Sequence, residues 1–116
     1  MTLPGVMGWN ETRIRNRAVV ELARWPELTC TVLVGLDAKQ VRQNPQTGTL
    51  SVHYRDNVAL WLDRPAHDAL FDHLEVARLW GSDGPLFRTR GRRGSSRCGD
   101  RLRPSSIRWI LHEART

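Results

Sequence analysis

Gln40-Val41-Arg42-Gln43-Asn44-Pro45-Gln46-Thr47-Gly48-Thr49-Leu50-Ser51-Val52-His53-Tyr54-Arg55-Asp56-Asn57-Val58-Ala59-Leu60-Trp61-Leu62 is the stretch that decides the fold class. Asn44 to Gly48 combines residues that each favour a turn for a different physical reason. After it, Leu50, Val52 and Tyr54 alternate with Ser51, His53 and Arg55, the period-two pattern of a half-buried strand. Asp56-Asn57 suits a tight turn, and Val58, Leu60 and Leu62 resume the alternation. With a short strand near residues 40–43, the stretch predicts a three-stranded antiparallel β-meander over 40–62.

Outward from this stretch the period becomes helical. On the N-terminal side, Asn10 suits a helix cap, and Ile14, Ala18, Leu22 and Trp25 fall on one face of a helix predicted over 11–25. Pro26 ends it. A second short helix is expected over 27–36, against the β-branched content of that segment. Residues 1–10, with Pro4, Gly5 and Gly8, read as a flexible N-terminal arm. On the C-terminal side, Pro65 suits a first helical turn, and Ala66, Leu70, Leu74 and Ala77 stripe a helix over 65–80. Leu86-Phe87 is a short apolar anchor. A last helix over 105–115 carries Ile107, Ile110, Leu111 and Ala114 on one face. The expected fold is α+β: a mostly helical single domain with a β-meander, spanning residues 11–116.

A chain of 116 residues allows one domain with a modest core. Cys30 lies in an apolar run and reads as a small buried hydrophobe, while Cys98 lies in a polar loop. Two cysteines without a secretion signal suggest a reduced, cytoplasmic protein. No run approaches the ~20 apolar residues of a membrane span. Spacings such as C-x-x-C or H-E-x-x-H are absent, and His67 and His73 fall on different helix faces, so no metal site and no cofactor are expected. Asp68, Asp72 and Glu75 read as a solvated helix face. Of five tryptophans, Trp25, Trp61 and Trp80 sit in apolar patterns and are expected in the core, with Trp9 and Trp109 free to be exposed.

The formal charge is +6, and Lys39 is the only lysine among 18 cationic residues. Genomic base composition can account for the excess of arginine over lysine but not for its clustering. Residues 88–103 hold seven arginines and one acid, Asp100. Arg90, Arg92, Arg93, Arg97, Arg101 and Arg103, with Arg108 and His112 on the following helix, are the expected contacts to phosphate. The start of that helix offers backbone N–H groups as well. Against this stands a solvated loop with no partner, whose basic composition is incidental.

The order of elements resembles the catalytic domain of the tyrosine recombinases (phage-integrase type) over residues 12–116. Arg15 to Leu22 is similar to that family's opening helix. Leu28, Leu33, Leu36 and Val41 match the leucine frame around its first catalytic arginine. Residues 49–62 look like its β-hairpin, and residues 65–74 look like the helix behind the hairpin. Gly84-Pro85-Leu86-Phe87, a basic Gly/Ser loop and residues 105–111 resemble the continuation. The departures carry the functional expectation. The family's arginine falls on Thr29 and its partner glutamate on Val32, and threonine cannot clamp a phosphate as a guanidinium does. No lysine lies in 49–62 to act as the family's general acid; His53 and Arg55 are nearest, and arginine is too basic to donate a proton well. His112-Glu113-Ala114-Arg115 spells H-x-x-R but falls inside the last helix, ahead of the turn that precedes the family's box. That box and the tyrosine nucleophile would follow Thr116.

The resemblance thus implies a truncated, non-catalytic relative that binds duplex DNA, bacterial or phage-encoded and nucleoid-associated. A second reading is a module that associates with, or inhibits, a full-length tyrosine recombinase. A third is an enzyme of an unrelated class. Tyr54, the only tyrosine, sits mid-strand, a poor place for a nucleophile that must reach DNA. No covalent protein–DNA adduct is therefore expected on a nicked suicide substrate. An adduct that disappears in Tyr54→Phe would contradict this.

Overall fold

The fold is built on α1 (Pro4–Leu22), whose residues Ala18, Val19 and Leu22 are completely buried. These positions recur at helical spacing and lay one apolar stripe against α3 (Arg64–Val76) and, to a lesser extent, α4 (Pro104–Arg115). The computed structural model describes residues 4–89 and 100–115, with side chains from residue 11 onward. The backbone of residues 4–10, expected as an arm, belongs to α1. Proline fits a first helical turn because its missing N–H would have no partner there. At the other end, α1 closes at Leu22 rather than Trp25, and the chain turns through Ala23 N–H to Val19 O and Trp25 N–H to Leu22 O. Pro26 explains the early stop, since it disfavours helical backbone at the residue before it.

The second helix, α2 (Cys30–Gly35), is shorter than the expected 27–36. Thr29 starts it by accepting the Val32 N–H on its hydroxyl at 3.3 Å. A single 3-10 turn (Ala38–Gln40) then leads into β1 (Val41–Gln43), so Gln40 precedes the strand instead of beginning it. Strands β2 (Leu50–Arg55) and β3 (Val58–Trp61) complete an antiparallel sheet in the order β1-β2-β3, the meander expected from the sequence. Gly48 takes φ 76° in the β1–β2 turn and Asn57 φ 60° in the β2–β3 turn, conformations that favour these residue types.

Leu50, Val52 and Leu62 face inward and are buried. Trp61, expected in the core, is 57% exposed. The cause is the alternation itself: with Leu60 and Leu62 turned inward, Trp61 must point to the other face. Trp80, also expected inside, is exposed. Helix α3 ends at Val76, four residues before the expected end, because Arg78 adopts φ 55° and the Leu79 N–H closes onto Leu74 O at 2.9 Å. Trp80 therefore lies beyond the helix, its indole N–H donating to the Glu75 carboxylate at 3.1 Å. Cys30 is half-buried against the core. Cys98 and the side chain of Trp9 lie outside the described residues.

The core closes around Leu86 and Phe87, both without exposed surface. The His73 ring stacks on Phe87, and its Nε2 donates to Leu86 O at 2.8 Å. Burial drives the His73 pKa from an ordinary 6.5 down to about 4, and Arg15 and Arg88 push it the same way. His73 is thus neutral when folded. Between these two values the unfolded chain binds the extra proton, so stability is complete above pH 6.5 and falls as the pH drops toward 4. The full effect is roughly 3 kcal/mol. Urea unfolding across this range should show that loss in the parent and a flatter profile in His73→Gln, which keeps an N–H donor for Leu86 O. Equal slopes would remove His73 as the cause.

Candidate nucleic-acid interface

The arginine-rich segment leaves and re-enters the fold through a short paired stem. Phe87 O accepts the Leu102 N–H at 3.1 Å, Thr89 donates its N–H to Asp100 O at 2.6 Å, and the Asp100 N–H returns to Thr89 Oγ1 at 3.0 Å. Arg88 and Arg101 face each other in this antiparallel bridge. Residues 89 and 100 are thereby fixed side by side, and whatever the intervening residues bind is tied to the core through Phe87 and Leu102, both buried. Arg90, Arg92, Arg93 and Arg97 fall outside the described residues.

Two stem arginines are occupied by the protein itself. Arg88 is 9% exposed; its guanidinium donates to Pro85 O at 2.7 Å, Ser82 Oγ at 3.2 Å and Asp83 O at 3.4 Å. It organises the turn at Gly84, where φ is 109° and an added Cβ would sit 3.2 Å from Arg88 Nη2. Arg101, expected to contact phosphate, donates through Nη1 to Val34 O at 2.7 Å and Leu36 O at 3.2 Å. Its Nη2 pairs with the Asp37 carboxylate at 2.6 Å. Here the guanidinium closes the C-terminal end of α2, where unsatisfied carbonyls favour a cation, and positions the loop base.

The remaining expected contacts are presented outward. Arg103, Arg108 and His112 are exposed, with Arg115 on the same side of α4, while Ile107 and Ile110 turn into the core. Trp109 is 61% exposed and borders a groove of about 430 Å³ that Arg15, Leu102 and Ser106 also line. The start of α4 offers less to a phosphate than expected. Pro104 has no N–H, and Ser106 and Ile107 donate theirs to Arg103 O at 2.9 and 3.3 Å.

Sequence reasoning missed a second group of cations. Lys39, Arg42 and Arg55 are brought to one concavity by the strand register, with no short motif linking them. Among the described residues no group of three or more His, Cys, Asp or Glu side chains could hold a metal ion. His67 bonds Asp68 at 3.1 Å and Gly48 O at 3.2 Å, and Asp68 also pairs with Arg64, so its carboxyl lies below its ordinary pKa, held there by His67 and Arg64. Tyr54 is half-buried in β2, with the Arg55 guanidinium 5.9 Å over its ring.

No protein-family model matches the chain, and no curated protein or solved structure matches it either. Among the described residues no helix is long and apolar enough to cross a membrane.

The Arg101 arrangement has a measurable consequence. Arg101→Ala removes the Asp37 pair and the bonds to Val34 O and Leu36 O, leaving Leu36 O the Leu86 N–H. Because the pair is partly exposed, the loss should be about 1 kcal/mol, a fall of about 4 °C in Tm. A melt identical to the parent's would mean that the guanidinium does not hold the stem.

Proposed function

We propose that this chain is a non-catalytic, DNA-binding relative of the tyrosine recombinases that holds duplex DNA through its arginine-rich loop and the polar face of α4. The observation that carries the reading is the density of arginine in 88–103, placed on a stem beside the exposed Arg103, Arg108 and His112. Phosphate contacts of this kind position a protein on a duplex and read no sequence. The element order supports the relationship: helix, short helix, three-stranded sheet, helix, basic loop, helix. Thr29 supports the absence of catalysis, since the residue in the arginine's place serves as a helix cap. A cytoplasmic, nucleoid-associated location belongs to the same proposal.

The second reading, a module that docks on a full-length recombinase, draws on the exposed Trp109 and its groove. Large aromatic side chains at a surface pocket commonly anchor protein partners. Retention of a recombinase by a chain without DNA affinity would favour it.

Fluorescence anisotropy with a labelled duplex over a salt series tests the first reading. Affinity should fall linearly in log–log form, and Arg92→Ala with Arg93→Ala should lower the slope by about 0.9 for each contact removed. Different duplexes should bind with similar affinity. Unchanged affinity at low salt, in a double variant with the parent's circular dichroism and melt, would remove the loop from the mechanism.

A further inference from the structure

The outer face of the sheet carries the second cation cluster. Alternation along β2 turns Leu50 and Val52 toward the core and Ser51 and His53 toward the opposite face, and beyond a register shift between Val52 and Arg55 the exposed Arg55 borders the same concavity as His53. Register places Arg42 of β1 directly beside Ser51, with Trp61 on its far side. Lys39, in the 3-10 turn, closes the edge. Lys39, Arg42, His53 and Arg55 border a concavity of about 910 Å³ in which, among the described residues, Asp56 supplies the only carboxylate. The three permanent cations are exposed, and among the described residues none of them forms an ion pair. Cations gathered without acidic partners repel one another, and an anion bound between them relieves that repulsion.

The floor is held in place. Gln40 Nε2 donates to His53 O at 2.9 Å, and Gln40 Oε1 accepts the Asp37 N–H at 2.7 Å. Ser51, 3% exposed, contacts His53 Nε2 through its hydroxyl at 3.1 Å. Asp37 in turn is the carboxylate that Arg101 grips at the base of the arginine loop. One continuous run of bonds, Arg101–Asp37–Gln40–His53, therefore links the base of the loop stem to the concavity.

We propose that this concavity is a second phosphate-binding surface, formed by Lys39, Arg42 and Arg55, which takes the backbone of the same duplex that the arginine loop holds. The proposal rests on the DNA-binding reading above and adds to it a face that the loop does not supply. His53 fits the role of an internal reporter. Its pKa lies below the ordinary value through burial and through Arg42. A phosphate seated among Lys39, Arg42 and Arg55 would offset that repulsion and raise it.

The experiment is the salt dependence of duplex binding by four proteins: the parent, Arg42→Gln/Arg55→Gln, Arg92→Ala/Arg93→Ala, and the four-fold variant. Arg64→Gln/Arg78→Gln, on exposed residues of the α3 region, controls for the loss of two charges. The sheet double should lower the log–log slope by about 0.9 per contact, additively with the loop double, and the control should keep the parent's slope. In parallel, the His53 ring, assigned with His53→Gln, is followed by NMR pH titration with duplex and with inorganic pyrophosphate. Duplex should raise its pKa in the parent and not in the sheet double. A sheet double with the parent's slope, beside a loop double with a lowered one, overturns this inference and leaves the DNA-binding reading standing. A parent that binds no duplex overturns both. Pyrophosphate that shifts His53 where duplex does not would identify a free-phosphate site and overturn the backbone proposal.

Discussion

Leu86 and Phe87 have no exposed surface, and the polar groups around them are satisfied from four different parts of the chain. The Leu86 N–H donates to Leu36 O beyond α2, and Leu86 O accepts from His73 of α3. Phe87 O accepts from Leu102 ahead of α4, and Arg88 O accepts from Arg15 of α1 at 2.9 Å. A buried backbone group without a partner costs about 1–3 kcal/mol, so these bonds constrain every element that supplies one. Two of the donors are side chains with stringent requirements. His73 must be neutral to sit at 2% exposure, and Arg15 must be buried with its guanidinium shared between Arg88 O and Asn16. The short apolar anchor thus fixes how three helices and the loop stem stand to one another.

That constraint shapes the charge distribution on the surface. With Arg15, Arg88 and Arg101 engaged in the framework, Arg103, Arg108 and Arg115 are exposed on the α4 side and Arg42 and Arg55 on the sheet. Arg88 and Arg101, facing each other in the stem, contribute a positive field that decays within about a Debye length, ~8–10 Å in ordinary salt.

The meander was legible because two runs of alternating apolar residues flank clear turn chemistry, while the register shift between Val52 and Arg55 and the exposure of Val58 were not. Helix α3 was legible from Pro65 and its stripe, although Asp63, which caps it through the Ala66 N–H, was not singled out. The misplaced Trp61 was within reach of the sequence: Leu60 and Leu62 facing inward leave it no place in the core. Arg88 and Arg101 were not. The two look alike in a basic run, and the partners that distinguish them from their neighbours, such as Asp37, lie far off along the chain. The sheet cluster was hidden for a related reason, since only pairing between strands brings residues 39, 42 and 55 to one face. The arginine density of the loop was plain from composition, whereas the stem that anchors it depends on backbone bonds with no residue signature.

The most direct measurement is a map of amide shifts as a short duplex is added to isotope-labelled protein at low salt. Perturbation should concentrate at Thr89, Asp100, Arg103, Arg108 and His112, and extend across Asp37 to Arg42 and His53. The region around His67, Phe71 and Asp72 should stay silent. Shifts that are absent, or that centre on His67 and Phe71 instead, would contradict DNA binding by the arginine-bearing side of this fold.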